Sequence, residues 1–246
     1  SAKTDVATVM IGKQKQPTPF MDDERGDGVV ALVPAGPVTV AAGHFTGMNG
    51  NQGVTSDITA AAVIGTAGPV NASLWYANAT GVIDSIYSLN LNGKFGPVNV
   101  DLTHSDASYD DTAFVGGQDA SLTKLIVSAT VADINLVAGY GMTNDDDDGR
   151  GAGVDISNDG DAKTNFRLDQ LVLDDFNDAD ALLLGASMTF GATTVGANYL
   201  MVDVDSLDAD AKELDLNVKY AMSKNFSITG LYSDAEIEAG SNTVYD

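Results

Sequence analysis

The chain contains no cysteine, one tryptophan, six prolines and only 12 lysines and arginines in 246 residues. Each shortage excludes something. Without cysteine there is no disulfide framework, and a thiol-free chain avoids mispairing in an oxidising compartment, which is weak support for export. Twelve cations against 35 acids give a formal charge of −23. Phosphate backbones need a basic footprint, so nucleic acid is excluded as a partner. Hydrophobic residues reach 44%, yet no run of about 18 of them occurs, which excludes a transmembrane helix. No charged-then-apolar leader is present, as expected of a mature form or a fragment. The chain also lacks a Gly-rich phosphate loop, zinc-ligand spacing and a nucleophile motif, and no enzyme is expected. His44 and His104 each stand alone and read as structural; Trp75 reads as a wall or interface residue.

What is present is alternation. In 213–221, Glu213, Asp215, Asn217 and Lys219 alternate with Leu214, Leu216, Val218 and Tyr220. Residues 98–104 set Val98, Val100 and Leu102 against Asn99, Asp101 and Thr103, and 84–92 sets Tyr87, Leu89 and Leu91 against Asp84, Ser88, Asn90 and Asn92. This period of two is the signature of a strand with one apolar and one watery face. About thirteen such strands are expected, at 6–12, 28–34, 38–45, 57–65, 70–77, 84–92, 98–105, 121–130, 134–142, 181–190, 193–202, 211–221 and 225–233. Most run about 8–11 residues, the length that crosses a bilayer at a tilt.

The connections alternate between two kinds. One is tight: Ala35-Gly36-Pro37-Val38, Ala67-Gly68-Pro69-Val70 and Phe95-Gly96-Pro97-Val98, with looser relatives at Ala132-Asp133-Ile134, Gly191-Ala192-Thr193 and Ser223-Lys224-Asn225. Glycine there supplies a positive φ and proline a fixed negative one. The other kind is long and acidic, above all 13–27 and 143–180. Short turns at one end and long loops at the other are the asymmetry of an outer-membrane barrel. Phe95, Phe190, Tyr220 and Phe226 beside the tight turns fit an interfacial girdle.

The expected fold is therefore all-β, a single transmembrane antiparallel up-and-down barrel domain over 1–246. An odd strand count cannot close an ordinary bacterial barrel, so further strands are expected beyond this segment. Backbone groups in hydrocarbon must all be paired, so the sheet closes and its polar faces point inward. That places Asp84, Asp101, Glu213 and Asp215 as pore-lining residues. A barrel of about 16–18 strands leaves an aqueous channel, so the expected role is passive passage of small hydrophilic solutes, with outer-membrane lipid around it.

The stretch from Met10 to Gly26 ends a strand with Gly12-Lys13-Gln14 and continues into a loop holding Pro17, Pro19, Asp22, Asp23 and Glu24. This strand-then-loop segment resembles that of Campylobacter-type (epsilonproteobacterial) major outer membrane porins. The resemblance implies an 18-stranded homotrimer with a constriction, a preference for cations and calcium near the eyelet. Folded inward, loop 13–27 would set an acidic rim of Asp22, Asp23 and Glu24 against Lys13, Lys15 and Arg25, and the field across such a neck would favour cations. Folded outward, it would be a solvated loop.

Asn144, Asp146 and Asp148, then Gly149 and Asp155, place oxygen ligands at alternate positions before a glycine, as in a calcium loop, although the usual bidentate Glu is absent at the last place. A solvated acidic loop without an ion is the alternative, and no cofactor is required. In the same loop Leu168, Leu171, Val172 and Phe176 share a helical face, so a short helix or a self-clasped coil is expected there. The rival to a channel is a secreted or surface-layer β protein, an adhesin with calcium-binding acidic loops. A barrel enzyme is a second rival, without a constellation to support it.

Overall fold

Alternating apolar and polar residues leave every strand one face to bury and one to hydrate, and a meander of hairpins satisfies both. The computed structural model describes residues 2–3, 6–16, 18–21, 25–49, 56–110, 112, 119–144, 153–154, 156 and 162–239. Its strands are β1 (Ala2–Lys3), β2 (Thr8–Lys15), β3 (Arg25–Ala35), β4 (Val38–Asn49), β5 (Asp57–Ala67), β6 (Val70–Ala79), β7 (Ile83–Phe95), β8 (Val98–Tyr109), β9 (Asp119–Val131), β10 (Ile134–Thr143), β11 (Ala179–Phe190), β12 (Thr193–Val204), β13 (Ala209–Ser223) and β14 (Phe226–Ala239). They form one sheet in which every strand pairs with its sequence neighbours, β1 through β14 in order. All ladders are antiparallel, as in β10–β11, where Ile134 faces Met188 and Met142 faces Asp180. This is the wall of an up-and-down barrel. Among the described residues no ladder joins β14 to β1.

Each expected strand is found, and most extend further towards the long loops. The tight turns are built as their residues require. Gly36, Gly68 and Gly96 have φ of 65°, 59° and 62° and each precedes proline, the pattern of a II′ turn. Ala132 and Asp133 both have positive φ, the pattern of a I′ turn. Both types carry the right-handed twist of the strands they join.

The outward face is apolar and exposed. Val40, Leu89, Leu102, Leu125, Leu184 and Leu216 all present side chains away from the sheet's interior. Phe95, Phe190, Tyr220 and Phe226 are exposed beside the tight turns. His44 and His104 sit outward as well, bonded to Thr59 Oγ1 (3.0 Å) and Thr123 Oγ1 (2.8 Å) on the next strand.

The inward face is divided. Near the tight turns it is polar: Ser88, Asn90, Asn92, Asp101 and Thr103. Near the long loops it is small and apolar: Ala60, Ala77, Ala79, Ile86, Ala107, Leu122, Ala181, Leu200, Val202 and Ala211 are all buried there. Loop side chains cover that half, Phe20, Met21, Val154, Ile156, Phe166, Leu171 and Leu173 joining the same cluster. Of the short helix and the self-clasped coil expected over 168–176, the helix is not formed. An isolated bridge pairs Arg167 with Val172, and only a 3-10 turn follows at Leu173–Asp175.

The lipid side is testable. Leu184→Arg, on the outward face of β11, is expected to destabilise the protein in lipid vesicles by about 2–4 kcal/mol, and Ser187→Arg, on the inward face, by less than about 1 kcal/mol. Denaturant titration in vesicles reads both.

Candidate functional site

The loop after β2 turns into the space enclosed by the sheet. Gln16, Thr18, Phe20 and Met21 are all buried, Phe20 completely. The long loop between β10 and β11 also enters, and the two are bonded together: Ile156 N–H donates to Phe20 O (2.8 Å) and Lys163 N–H to Pro19 O (3.0 Å).

An inward loop brings backbone groups that no sheet neighbour satisfies, and each must find a partner. Here the wall supplies charged ones. The Glu213 carboxylate of β13 accepts the backbone N–H groups of Asp169 (2.9 Å), Gln170 (2.8 Å) and Leu171 (2.7 Å). Ser233 of β14 donates to the same carboxylate at 2.8 Å and accepts from Gln170 Nε2 at 2.8 Å. On the opposite side of the loop the Lys124 ammonium of β9 donates to the carbonyls of Lys163 (2.5 Å) and Asn165 (2.6 Å). Tyr109 of β8 donates its hydroxyl to Gly153 O (2.7 Å). Within the loop both oxygens of Asp174 accept the Val154 N–H at 3.0 Å. Burial raises the Asp175 carboxyl above its ordinary value, against the nearby Arg167 guanidinium.

Packing fixes the seat. A Cβ at Gly141 of β10 would lie 2.7 Å from Leu173 Cδ2 and 2.9 Å from Phe166 Cδ1. Only glycine lets these two side chains reach the wall.

Beside the loops lies a cavity of about 760 Å³, lined on the loop side by Gln16, Thr18 and Lys163 and on the wall side by Lys15, Trp75, Ser88, Asn90, Asn92, Asp101, Thr103 and Lys124. A second cavity of about 360 Å³ continues towards the tight turns, and Asn92 and Asp101 line both.

Of the expected constriction residues, Lys15 lines the larger cavity. Lys13 is exposed opposite Asp27, and Arg25 is exposed opposite Lys15 across the β2–β3 ladder. Asp22, Asp23 and Glu24 lie outside the described residues. Of the expected pore-lining set, Asp101 reaches the cavity. Glu213 and Asp215 point inward but are buried, Glu213 at 0% and Asp215 at 6% exposure. A bulge between Ile83 and Ser85 takes Asp84 out of the alternation; Ile83 and Ile86 are both buried and Asp84 is exposed, apart from the cavity. Of the calcium set only Asn144 is described, and its side-chain oxygen accepts the Ser121 N–H at 3.0 Å. Asp146, Asp148 and Asp155 lie outside the described residues. Among the described residues no three acidic or histidine side chains converge on a metal position.

Sequence reasoning missed Lys124 and Lys163. Lys124 had a signal: it is a lone cation amid Leu122, Leu125 and Ile126, a place only an inward, partnered ammonium can occupy.

A family model for Gram-negative porins matches residues 1–239. No curated protein matches the sequence. The fold is similar to that of a BenF-like porin from Pseudomonas fluorescens Pf-5, with a TM-score of 0.78, 15% identity, and coverage of 98% of this chain and 71% of that one. It is similar to Pseudomonas aeruginosa OccK2 (OpdF), solved in complex with glucuronate, with a TM-score of 0.75, 17% identity, and coverage of 96% and 73%. Acinetobacter baumannii OccAB1 matches with a TM-score of 0.73, 13% identity, and coverage of 95% and 70%.

Glu213→Gln keeps the shape but removes the charge that holds three N–H groups. It is expected to lower stability by about 1.5–3 kcal/mol and to make the open-channel current noisier as the loop loosens. Denaturant titration and single-channel recording check the two effects.

Proposed function

The chain belongs to the Gram-negative porin family, outer-membrane channels for passive solute diffusion, and from that premise we propose a channel narrowed by its two inward loops and preferring cations. The observation that carries the neck is the pinning of the long loop between Glu213 and Lys124 beside a cavity of about 760 Å³. What supports cations is the field of a chain with 35 acids and 12 bases. The summed field of a chain with a formal charge of −23 draws cations towards it and repels anions. Asp22, Asp23 and Glu24, which follow the buried Met21 in sequence, are the constriction acids of this reading.

A second reading has its own observation. Among the described residues Lys15, Lys124 and Lys163 line the cavity against the carboxylate of Asp101, which favours solutes that carry a carboxylate, and a structural relative was crystallised with glucuronate. The first reading is preferred because the Lys124 ammonium is already committed to two loop carbonyls.

The homotrimer and the Campylobacter-type kinship belong to the proposal through the stretch from Met10 to Gly26. A complete barrel of about 16–18 strands suits an aqueous pore. Calcium at Asp146, Asp148 and Asp155 would need a ligand other than the Asn144 oxygen, which is turned to the wall. Light scattering in detergent reads the subunit number, and terbium luminescence reads the calcium loop.

Reversal potential in a KCl gradient across a planar bilayer tests the ion preference. The expected sign is that of potassium crossing faster than chloride; the opposite sign would transfer the function to the lysine-lined reading.

A further inference from the structure

The wall opposite the loops carries a hydrogen-bonded polar ladder that the channel reading leaves without a task. Thr66 Oγ1 donates to Asn71 Oδ1 at 2.8 Å, and Asn71 Nδ2 donates to Asn92 Oδ1 at 3.0 Å. Asn92 Nδ2 donates to Asn90 Oδ1 at 2.6 Å. Asn90 Nδ2 then donates to Asp101 Oδ1 at 2.7 Å and to Thr103 Oγ1 at 2.8 Å. The chain of bonds runs across β5, β6, β7 and β8 and fixes which way each amide faces.

An amide has two donors and a carbonyl with two acceptor positions. Asn71 and Asn92 each spend one donor and one acceptor on the ladder. Each keeps one of both for whatever passes. These spare pairs lie on adjacent strands, about 4.8 Å apart. Asn71 lines the smaller cavity and Asn92 lines both, so the ladder connects the neck to the turn end of the passage.

We propose that this wall is a binding guide for neutral, polyhydroxylated ring solutes of the pyranose class, with Trp75 beneath the ring and the spare donor and acceptor of Asn92 taking its hydroxyls. The inference rests on the channel reading and names a solute for it. Hydroxyls both donate and accept, so they use both halves of each spare pair. A metal cation uses only the acceptors. A carboxylate uses only the donors, which leaves the acceptor of each spare pair idle. Trp75, the only tryptophan of the chain, supplies a flat apolar surface in the larger cavity for the C–H face of a ring. On the loop side of that cavity Gln16 is 1% exposed, and among the described residues neither its amide atoms nor Thr18 Oγ1 has a partner. Buried groups without a partner are costly, a cost that a bond to a solute hydroxyl would remove. A volume of about 760 Å³ suits a small-molecule site.

Because the tryptophan is unique, its fluorescence reports on this cavity alone when excited at the red edge, where tyrosine does not absorb. The full chain in detergent is titrated with maltose and, at matched ionic strength, with sodium glucuronate. A saturable change in emission with maltose is expected, and Asn92→Ala is expected to weaken the apparent affinity about fivefold, the loss of one hydrogen bond. An emission that maltose leaves unchanged, or that responds to glucuronate alone, would overturn the proposal. Planar-bilayer conductance, recorded separately, answers for the channel reading: its absence would sink that reading, whereas a conducting protein blind to maltose would sink only the sugar guide.

Discussion

The structure depends on one pairing, that of a loop backbone lying inside a barrel with charged groups projecting from the wall. A loop that leaves the sheet and re-enters its interior gives up water without gaining a strand neighbour. Its N–H and C=O groups then cost free energy unless something fixed meets them. Glu213 meets three consecutive N–H groups and Lys124 meets two carbonyls. Hydrogen bonds to charged partners are stronger than neutral ones, and these two side chains approach the loop with opposite sign and opposite task. Each is in turn kept from being a bare buried charge by the loop it holds.

From this pairing follows the division of the inner wall. Where the loops lie, the wall must offer an apolar seat, and alanines, Gly141 and short aliphatic residues provide one for Phe20, Phe166 and Leu173. Where the loops end, the wall faces the cavities and becomes a surface of amides and hydroxyls. The outside is mostly apolar beyond the aromatics at the tight turns, with His44 and His104 bonded to threonines of the next strand, because lipid makes one uniform demand. The chain therefore carries three surfaces on one sheet.

Much of the wall was legible beforehand. Glu213 to Ala221 and Val98 to His104 alternate as strands must, and glycine before proline marks turns whose φ values are those the pair requires. Less legible was anything that depends on what covers a face. The alternation shows that Glu213 points inward; it does not show that Asp169, Gln170 and Leu171 lie over it. Residues 60–63 and 181–184 carry apolar side chains on both faces, since one side meets lipid and the other meets the loops. Asp84 kept the parity of a lumen residue until a bulge displaced it. The spacing of Leu168, Leu171, Val172 and Phe176 suits a helix, but Glu213 draws the intervening N–H groups to itself, and a bridged turn between Arg167 and Val172 results.

The most direct measurement is hydrogen exchange of the folded protein in detergent, followed on the peptide that spans 168–173. If the wall carboxylate holds this loop, the amides of Asp169, Gln170 and Leu171 will exchange as slowly as those of β13. Exchange at the rate of open polypeptide, with β13 still protected, would contradict the inward, clasped loop on which the neck depends.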